Sequence, residues 1–264
     1  MYIHCIFELS MVLDGEKFHK VLAKICDRPE QLEQNDDEEY VDGSLAQIGI
    51  MVIYRNSQYK KKVRVIVDLS MVLKEKCDVS WAVRKLDKRM KAYFGYQYRM
   101  DDFVLSRMVL ATDIDVGTHE NVLAYLKVLQ RIGKIKGFSP IAHDCFEADK
   151  SFCLDGNSNG IQFRIYDLEN VFEHRFIRTD RNSKKRKAAL KEARGILRAE
   201  VQLTKSKAVR AHTDMNDIAG QIEDLTKNCQ NIFMDTFSHV IPFGDFYKKD
   251  SAMEIVRKKW GMLY

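Results

Sequence analysis

The sequence predicts an α+β fold: an antiparallel sheet built from two split β-α-β halves, with helices added at the C-terminus. Three observations carry this prediction. Strand, helix, strand, strand, helix, strand is the order read along residues 1–116, and it recurs along 102–204 if one long strand is shared. The 264 residues are 45% hydrophobic with only 3 prolines, enough to build a substantial core and too regular for a disordered or collagen-like chain. No Pro-, Gly- or Ser-rich linker divides the chain, so residues 1–204 are expected as one α+β body and 205–264 as a helical extension.

Met1–Ser10 alternates and is rich in Ile and Phe, the pattern of a half-buried strand. Asp14–Cys26 carries Phe18, Val21, Leu22 and Ile25 at helical spacing, with Asp14 placed to cap it. From Asp27 to Asp42 there are eight acids and the single Arg28, a self-repelling run expected to form a solvated loop. Ile48–Tyr54 and Val63–Leu69 read as strands joined by a polar turn, and Val79–Tyr93, with Trp81, Val83, Leu86 and Met90, as a helix. Asp102–Val116 is the shared β-rich run.

In the second half, His119–Arg131 puts Val122, Leu123, Tyr125, Leu126 and Leu129 on one side of a helix that Gly133 ends. Ser151–Leu154 and Gly160–Asp167 flank Asp155-Gly-Asn-Ser-Asn159, residue types that tolerate positive φ in a hairpin turn. A helix through Lys184–Gly195 leads into strand Ile196–Leu203. Thr213–Phe233 and Ser251–Trp260 read as outer helices. The resulting topology is ferredoxin-like in each half.

Composition also excludes. No apolar stretch approaches the roughly 20 residues that a membrane helix requires. The start carries no basic, apolar leader, which predicts a cytoplasmic protein. Six scattered cysteines without a Cys-x-x-Cys pair predict reduced thiols and argue against a zinc knuckle. There is no Gly-rich phosphate loop, no His-x-His, no His-Glu-x-x-His and no nucleophile elbow.

The formal net charge of +5 conceals segregation. Between Arg181 and Arg210 stand eleven Lys or Arg against Glu192 and Glu200 alone. A second basic cluster is Lys60, Lys61, Lys62 and Arg64. Clustered positive charge binds polyanions through counterion release, and it is equally the pattern of a solvated helix face. If it binds, DNA, single- or double-stranded, is the expected partner, through Lys60, Lys61, Lys62, Arg64, Lys184, Lys185, Arg186, Lys187 and Arg198. A homodimer and a protein partner are left open, and no membrane partner is expected.

Three strand segments carry candidate chemistry. Asp113 and Asp115, two apart at the end of a long strand, project to one face, where a hard divalent cation (Mg or Mn) would offset their repulsion. Alternatively the strand simply ends in solvent, with Asp115 capping the next helix. Arg198, Glu200 and Gln202 share a face of the last strand, as an ion pair if at an edge or as part of a buried centre if central. Gln162, Arg164 and Tyr166 share a face as well. A phenol beside an Arg can attack a phosphodiester, although a strand Tyr is also an ordinary packing residue.

The hairpin Ser151-Phe-Cys-Leu-Asp-Gly-Asn-Ser-Asn-Gly-Ile-Gln-Phe-Arg-Ile-Tyr166-Asp-Leu-Glu169 resembles a motif of rolling-circle replication initiators of plasmids and of filamentous-phage gene II-type proteins. Arg198-Ala-Glu200 is similar to their Arg-x-Glu strand, and Met108–Val116 to an upstream acidic strand. The likeness covers roughly Asp102–Arg210. It implies a metal-dependent, site-specific DNA-nicking enzyme that keeps the 5′-phosphate on a tyrosine. Tyr166 would be the nucleophile, Arg164 its support, and Asp113, Asp115 and Glu200 the ligands of Mg or Mn. Two positions depart from the motif: Leu168 stands where Lys is usual, and Phe152 stands at another Tyr position of the hairpin. The alternative that these departures leave open is a catalytically inactive derivative, a nucleic-acid- or protein-binding repressor, accessory factor or inhibitor of a mobile element.

Overall fold

Alternation of apolar and polar residues along the chain converts directly into strands whose one face is dry. The computed structural model describes residues 2–25, 39–57, 61–131, 135–141, 148–156, 158–179 and 183–240. They form α+β structure in two compact units, the first comprising Tyr2–Leu110 and Leu203–Ile232, the second Ala111–Gln202 and residues from Phe233 onward.

The first unit opens with β1 (His4–Val12), in which Cys5, Phe7, Leu9 and Met11 are buried. Helix α1 (Gly15–Ile25) follows, capped by Asp14, whose Oδ1 accepts from the Lys17 N–H at 3.0 Å. Strands β2 (Glu39–Asp42), β3 (Met51–Ser57) and β4 (Lys62–Asp68) lead to a short helix α2 (Ser70–Lys74) and to α3 (Val79–Phe94). Strand β5 (Val104–Asp115) starts in this unit and ends in the other. Strand order in the first unit is β2-β3-β4-β1-β5, with β2/β3, β3/β4 and β4/β1 antiparallel. The rings of Tyr93 and Phe94 from α3 lie against Tyr54 of β3 at 5.1 and 6.3 Å between centroids, which seats the helix on the sheet.

The second unit continues with α4 (His119–Gln130), β6 (Ser139–Pro140), β7 (Ser151–Asp155), β8 (Ile161–Asp167), α5 (Leu168–Thr179), α6 (Ser183–Ala193) and β9 (Ile196–Leu203). Strand order here is β5-β9-β8-β7-β6, with β6/β7 and β7/β8 antiparallel. Helices α7 (Ser206–Arg210) and α8 (Ile218–Lys227) belong to the first unit, and α9 (Cys229–Val240) runs into the second. There Phe237 of α9 meets Phe163 of β8 at 5.1 Å.

Several boundaries differ from the sequence expectation. The strand expected from Ile48 begins at Met51, because Gly43–Ile48 forms a 3₁₀ turn that Gly49 closes at φ 76°, a conformation that glycine adopts without strain. The acidic run ends in β2, so Asp42 is part of a strand, while residues 26–38 lie outside the described region. The helix expected over Thr213–Phe233 begins only at Ile218, capped by Asp217, whose side chain accepts from the Gly220 N–H at 2.7 Å, and it divides at Asn228. Helix α5 has no counterpart among the elements expected from periodicity. Within the first unit α8 is held by two hydrogen bonds: Ser80 donates to Glu223 at 2.6 Å and the Ile218 N–H to Asp101 at 2.7 Å. Ser251–Trp260 lies outside the described residues. No helix among the described residues is long and apolar enough to cross a membrane.

In the first unit a buried carboxylate is held by a fork of donors. The side chain of Asp42 is 3% exposed, and Arg89 reaches it through Nε at 2.6 Å and Nη2 at 3.3 Å while also donating to the Tyr93 hydroxyl. Burial alone pushes the Asp42 carboxyl up, but Arg89 and the Ser44 donors outweigh it and leave the carboxyl below its usual value. Stability from this lowered value is present above about pH 4 and is lost as pH falls through it. Arg89→Ala is expected to destabilise the fold by about 2 kcal/mol at pH 7, less than a fully buried pair would because Arg89 is partly exposed. The difference from wild type should shrink in urea titrations as the pH is taken below about 4. A pH-independent difference would contradict the assignment.

Candidate active site

The hairpin that carries Tyr166 is shaped by its turn. The Gly156 N–H donates to the Ile161 carbonyl at 2.8 Å and Gly160 adopts φ 69°, so β8 returns along β7 with Ser151 opposite Tyr166 and Cys153 opposite Arg164. On the other side, Gly195 at φ 78° turns the chain into β9, and its carbonyl accepts from the Val116 N–H at 2.9 Å at the end of β5. A Cβ added at Gly195 would lie 2.8 Å from the Gly117 carbonyl oxygen, so both the turn and the close approach require glycine. Since β9 lies between β5 and β8, side chains from three strands meet on its face.

They meet as a hydrogen-bonded cluster inside the second unit. The Tyr166 hydroxyl donates to Glu200 Oε2 at 2.9 Å, and Gln202 Nε2 donates to Glu200 Oε1. Arg164 brings Nη1 within 3.7 Å of Glu200 Oε1 and donates through Nη2 to Gln162 at 2.8 Å. Arg198 grips Asp113 with both arms of its guanidinium, Nε to Oδ1 at 2.5 Å and Nη2 to Oδ2 at 2.7 Å. Tyr166 and Glu200 are 5% and 9% exposed, so the centre is largely dry. Burial, reinforced by the Glu200 charge, raises the phenol well above its usual value, against the smaller opposing pull of Arg198. Burial alone would lower Arg198, but hydrogen bonding and attraction to Asp113 prevail and its value is raised. The Cys153 thiol is pushed up to about 11 by burial, despite nearby Arg164.

The expected residues are distributed unevenly. Tyr166, Arg164, Glu200, Arg198 and Asp113 come together. Asp115 stands apart from them: it is exposed, and its Oδ1 accepts from the Gly117 N–H at 2.8 Å. It does not cap α4 either, since that place belongs to Thr118, which accepts from the Asn121 N–H at 3.2 Å. The expected ligand set of Asp113, Asp115 and Glu200 does not fit a divalent cation. Both Asp113 oxygens face Arg198, both Glu200 oxygens accept hydrogen bonds, and Asp115 is tied into a turn. Among the described residues no group of three or more His, Cys, Asp or Glu side chains is arranged to hold a metal by itself.

The basic clusters belong to different units. Lys61 is exposed and Lys62 half-buried, Arg64 lies 3.7 Å from Glu8, and Lys60 lies outside the described residues. Lys184 and Lys187 are exposed and Arg186 half-buried on α6 of the second unit, where the side chain of Lys185 is outside the described set.

One constellation is marked by no sequence motif. At the start of α4 and α5, His119, Asp167 and Glu169 line a cavity of about 310 Å³ together with Lys150 and Arg194. The acidic pair stands beside Tyr166 in the sequence, but His119 has no local pattern to single it out, and only the fold brings the two stretches together. No protein-family model, curated protein or solved structure matches the chain.

Glu200 is the hub of the cluster. Glu200→Ala, which strands a buried phenol and leaves Arg164 without its carboxylate, is expected to lose about 3 kcal/mol in chemical denaturation. Tyr166→Phe removes one hydrogen bond and should lose about 1 kcal/mol. A larger loss for Tyr166→Phe than for Glu200→Ala would reverse the roles assigned here.

Proposed function

We propose that the chain acts on DNA in the manner of a rolling-circle replication initiator, cutting one strand with Tyr166. The observation that carries this reading is the Tyr166 hydroxyl donating to Glu200 at 2.9 Å beside two arginines, a nucleophile paired with a proton acceptor that Gln202 and Arg164 orient. In the proposed step the phenol oxygen bonds to phosphorus and its proton passes to Glu200 Oε2. The bond from phosphorus to the 3′-oxygen breaks, and that oxygen takes a proton from solvent. Arg164 and Arg198 would stabilise the charge that develops on the phosphoryl oxygens. The resemblance implies a divalent cation, Mg or Mn. Because Asp113, Asp115 and Glu200 do not fit it, no step is assigned to an ion at those residues.

The order β3-β4-β1-β5 supports a split β-α-β (ferredoxin-like) arrangement for the first unit. In the second, β9 stands between β5 and β8, so the two halves are related in element order more than in strand order. The charged lysines of α6 are proposed to hold phosphates, and a cytoplasmic setting is proposed with them.

A second reading is favoured by one specific observation: the phenol is 5% exposed and its proton is held more tightly than in water, both adverse to an attacking group. Together with Phe152 at the other tyrosine position of the motif, this supports a derivative that binds DNA or a protein partner without cutting.

Two measurements separate the readings. With manganese and supercoiled DNA carrying the sequence around its own gene, wild type is expected to open the circle and remain attached to a 5′-phosphate. Tyr166→Phe should be slower by at least about 100-fold. Equal nicking by both proteins would remove Tyr166 from the reaction, and binding without nicking by either would leave the second reading. Binding itself should weaken about a thousand-fold between 50 and 200 mM salt if some six phosphates are neutralised, and less steeply in Lys184→Glu/Lys187→Glu. A flat salt response would contradict both DNA readings.

A further inference from the structure

The cavity at the start of α4 and α5 contains a carboxylate that the fold leaves half used. Asp167 is 0% exposed. Its Oδ1 accepts from the Glu169 N–H at 3.0 Å and so caps α5, but its Oδ2 accepts no hydrogen bond. His119 faces both carboxylates, with Nδ1 at 3.3 Å from Asp167 Oδ2 and 3.4 Å from Glu169 Oε2. That nitrogen is buried and makes no hydrogen bond. A buried carboxylate oxygen left without a donor costs on the order of 1–3 kcal/mol or more, which a bound ligand would recover.

The chemistry of the walls narrows that ligand. Asp167, Glu169 and Glu173 supply three carboxylates, against Lys150 and Arg194 as permanent cations. Burial raises the carboxyls of both Asp167 and Glu169 against the opposing pull of His119, and the Asp167 charge adds to the rise at Glu169. At about 310 Å³ the cavity is large enough for a hydrated ion with a phosphate group beside it.

We propose that this cavity is a divalent-cation site of the magnesium or manganese class, held by Asp167 and Glu169. Its open positions are filled by water and by a phosphate oxygen that Lys150 and Arg194 secure. Such ions are commonly held by one or two carboxylates plus phosphate and water, so no closed set of three protein ligands is needed. One added divalent charge turns the site's excess of one negative charge into an excess of one positive, which a phosphodiester then balances. The phosphate component rests on the DNA reading proposed above, whereas the ion does not.

The test is Mn²⁺ titration of the full chain without DNA, following the free ion by electron paramagnetic resonance. Wild type is expected to take up one ion. Asp167→Asn and Glu169→Gln should each weaken uptake at least about ten-fold, while Asp113→Asn and Tyr166→Phe bind as wild type does. Glu169 is partly exposed, so its variant keeps the test valid if the capping change at Asp167 disturbs folding. No uptake at millimolar Mn²⁺, unchanged uptake in Glu169→Gln, or loss in Asp113→Asn would overturn the site. Inorganic phosphate should tighten Mn²⁺ uptake several-fold in wild type and not in Arg194→Ala, and no effect in either would overturn the phosphate component alone. Because no DNA is present, failure of the nicking reading leaves these results unchanged.

Discussion

Glu200 sits in the interior of a sheet, and a carboxylate there is tolerated only when donors surround it. Stripping water from such a group costs several kcal/mol, and here the phenol of Tyr166, the amide of Gln202 and the charge of Arg164 replace that water. The same requirement fixes which face of β8 and β9 points inward, because a one-residue slip of either strand would send Tyr166 or Glu200 to the opposite side. Asp113 and Arg198 extend the network to β5, so the polar centre sets the register of three strands at once.

Much of this was legible because strand geometry is short-ranged. Period-two alternation places Gln162, Arg164 and Tyr166 together, and likewise Arg198, Glu200 and Gln202, whatever the sheet around them. The Gly and Asn residues from Gly156 to Gly160 identify the hairpin by their tolerance of positive φ. What the sequence did not disclose depended on a neighbour in space. Asp113 and Asp115 share the same spacing, yet the last residue of a strand is free to turn, and Asp115 is captured by the Gly117 N–H. The late start at Met51 follows from Gly49, a single residue whose left-handed φ ends a turn inside an otherwise β-like run. Helix α5 begins because Asp167 caps it, and a cap is hard to distinguish from a strand-end acid without the helix in view.

The first unit solves the equivalent problem differently. Asp42 is as buried as Glu200, but its counterion comes from a helix: Arg89 on α3 forks onto the carboxylate while resting on the Tyr93 ring at 4.7 Å. A sequence scan assigns Asp42 to a solvated acidic run because charge density dominates that stretch. The strand pairing of β2 with β3 withdraws it from solvent, and the guanidinium offsets the cost of that withdrawal.

The carboxylates of the second unit stand in two unlike chemical situations. Asp113 and Glu200 are met by guanidinium, phenol and amide donors, so a divalent ion at either would first have to displace strong directed bonds. Asp167 offers a lone pair that no protein donor takes up, in a cavity where anionic groups outnumber permanent cations. Neutralisation by donors suits positioning and proton transfer, where the group must keep its geometry through a reaction. Under-neutralisation suits capture of an ion, since the ion brings the missing charge and the carboxylate loses no existing bond. If both belong to one phosphoryl-transfer apparatus, Tyr166 and Asp167 divide it between adjacent residues of β8: their side chains leave opposite faces of the strand, one toward the proton acceptor and the other toward the ion.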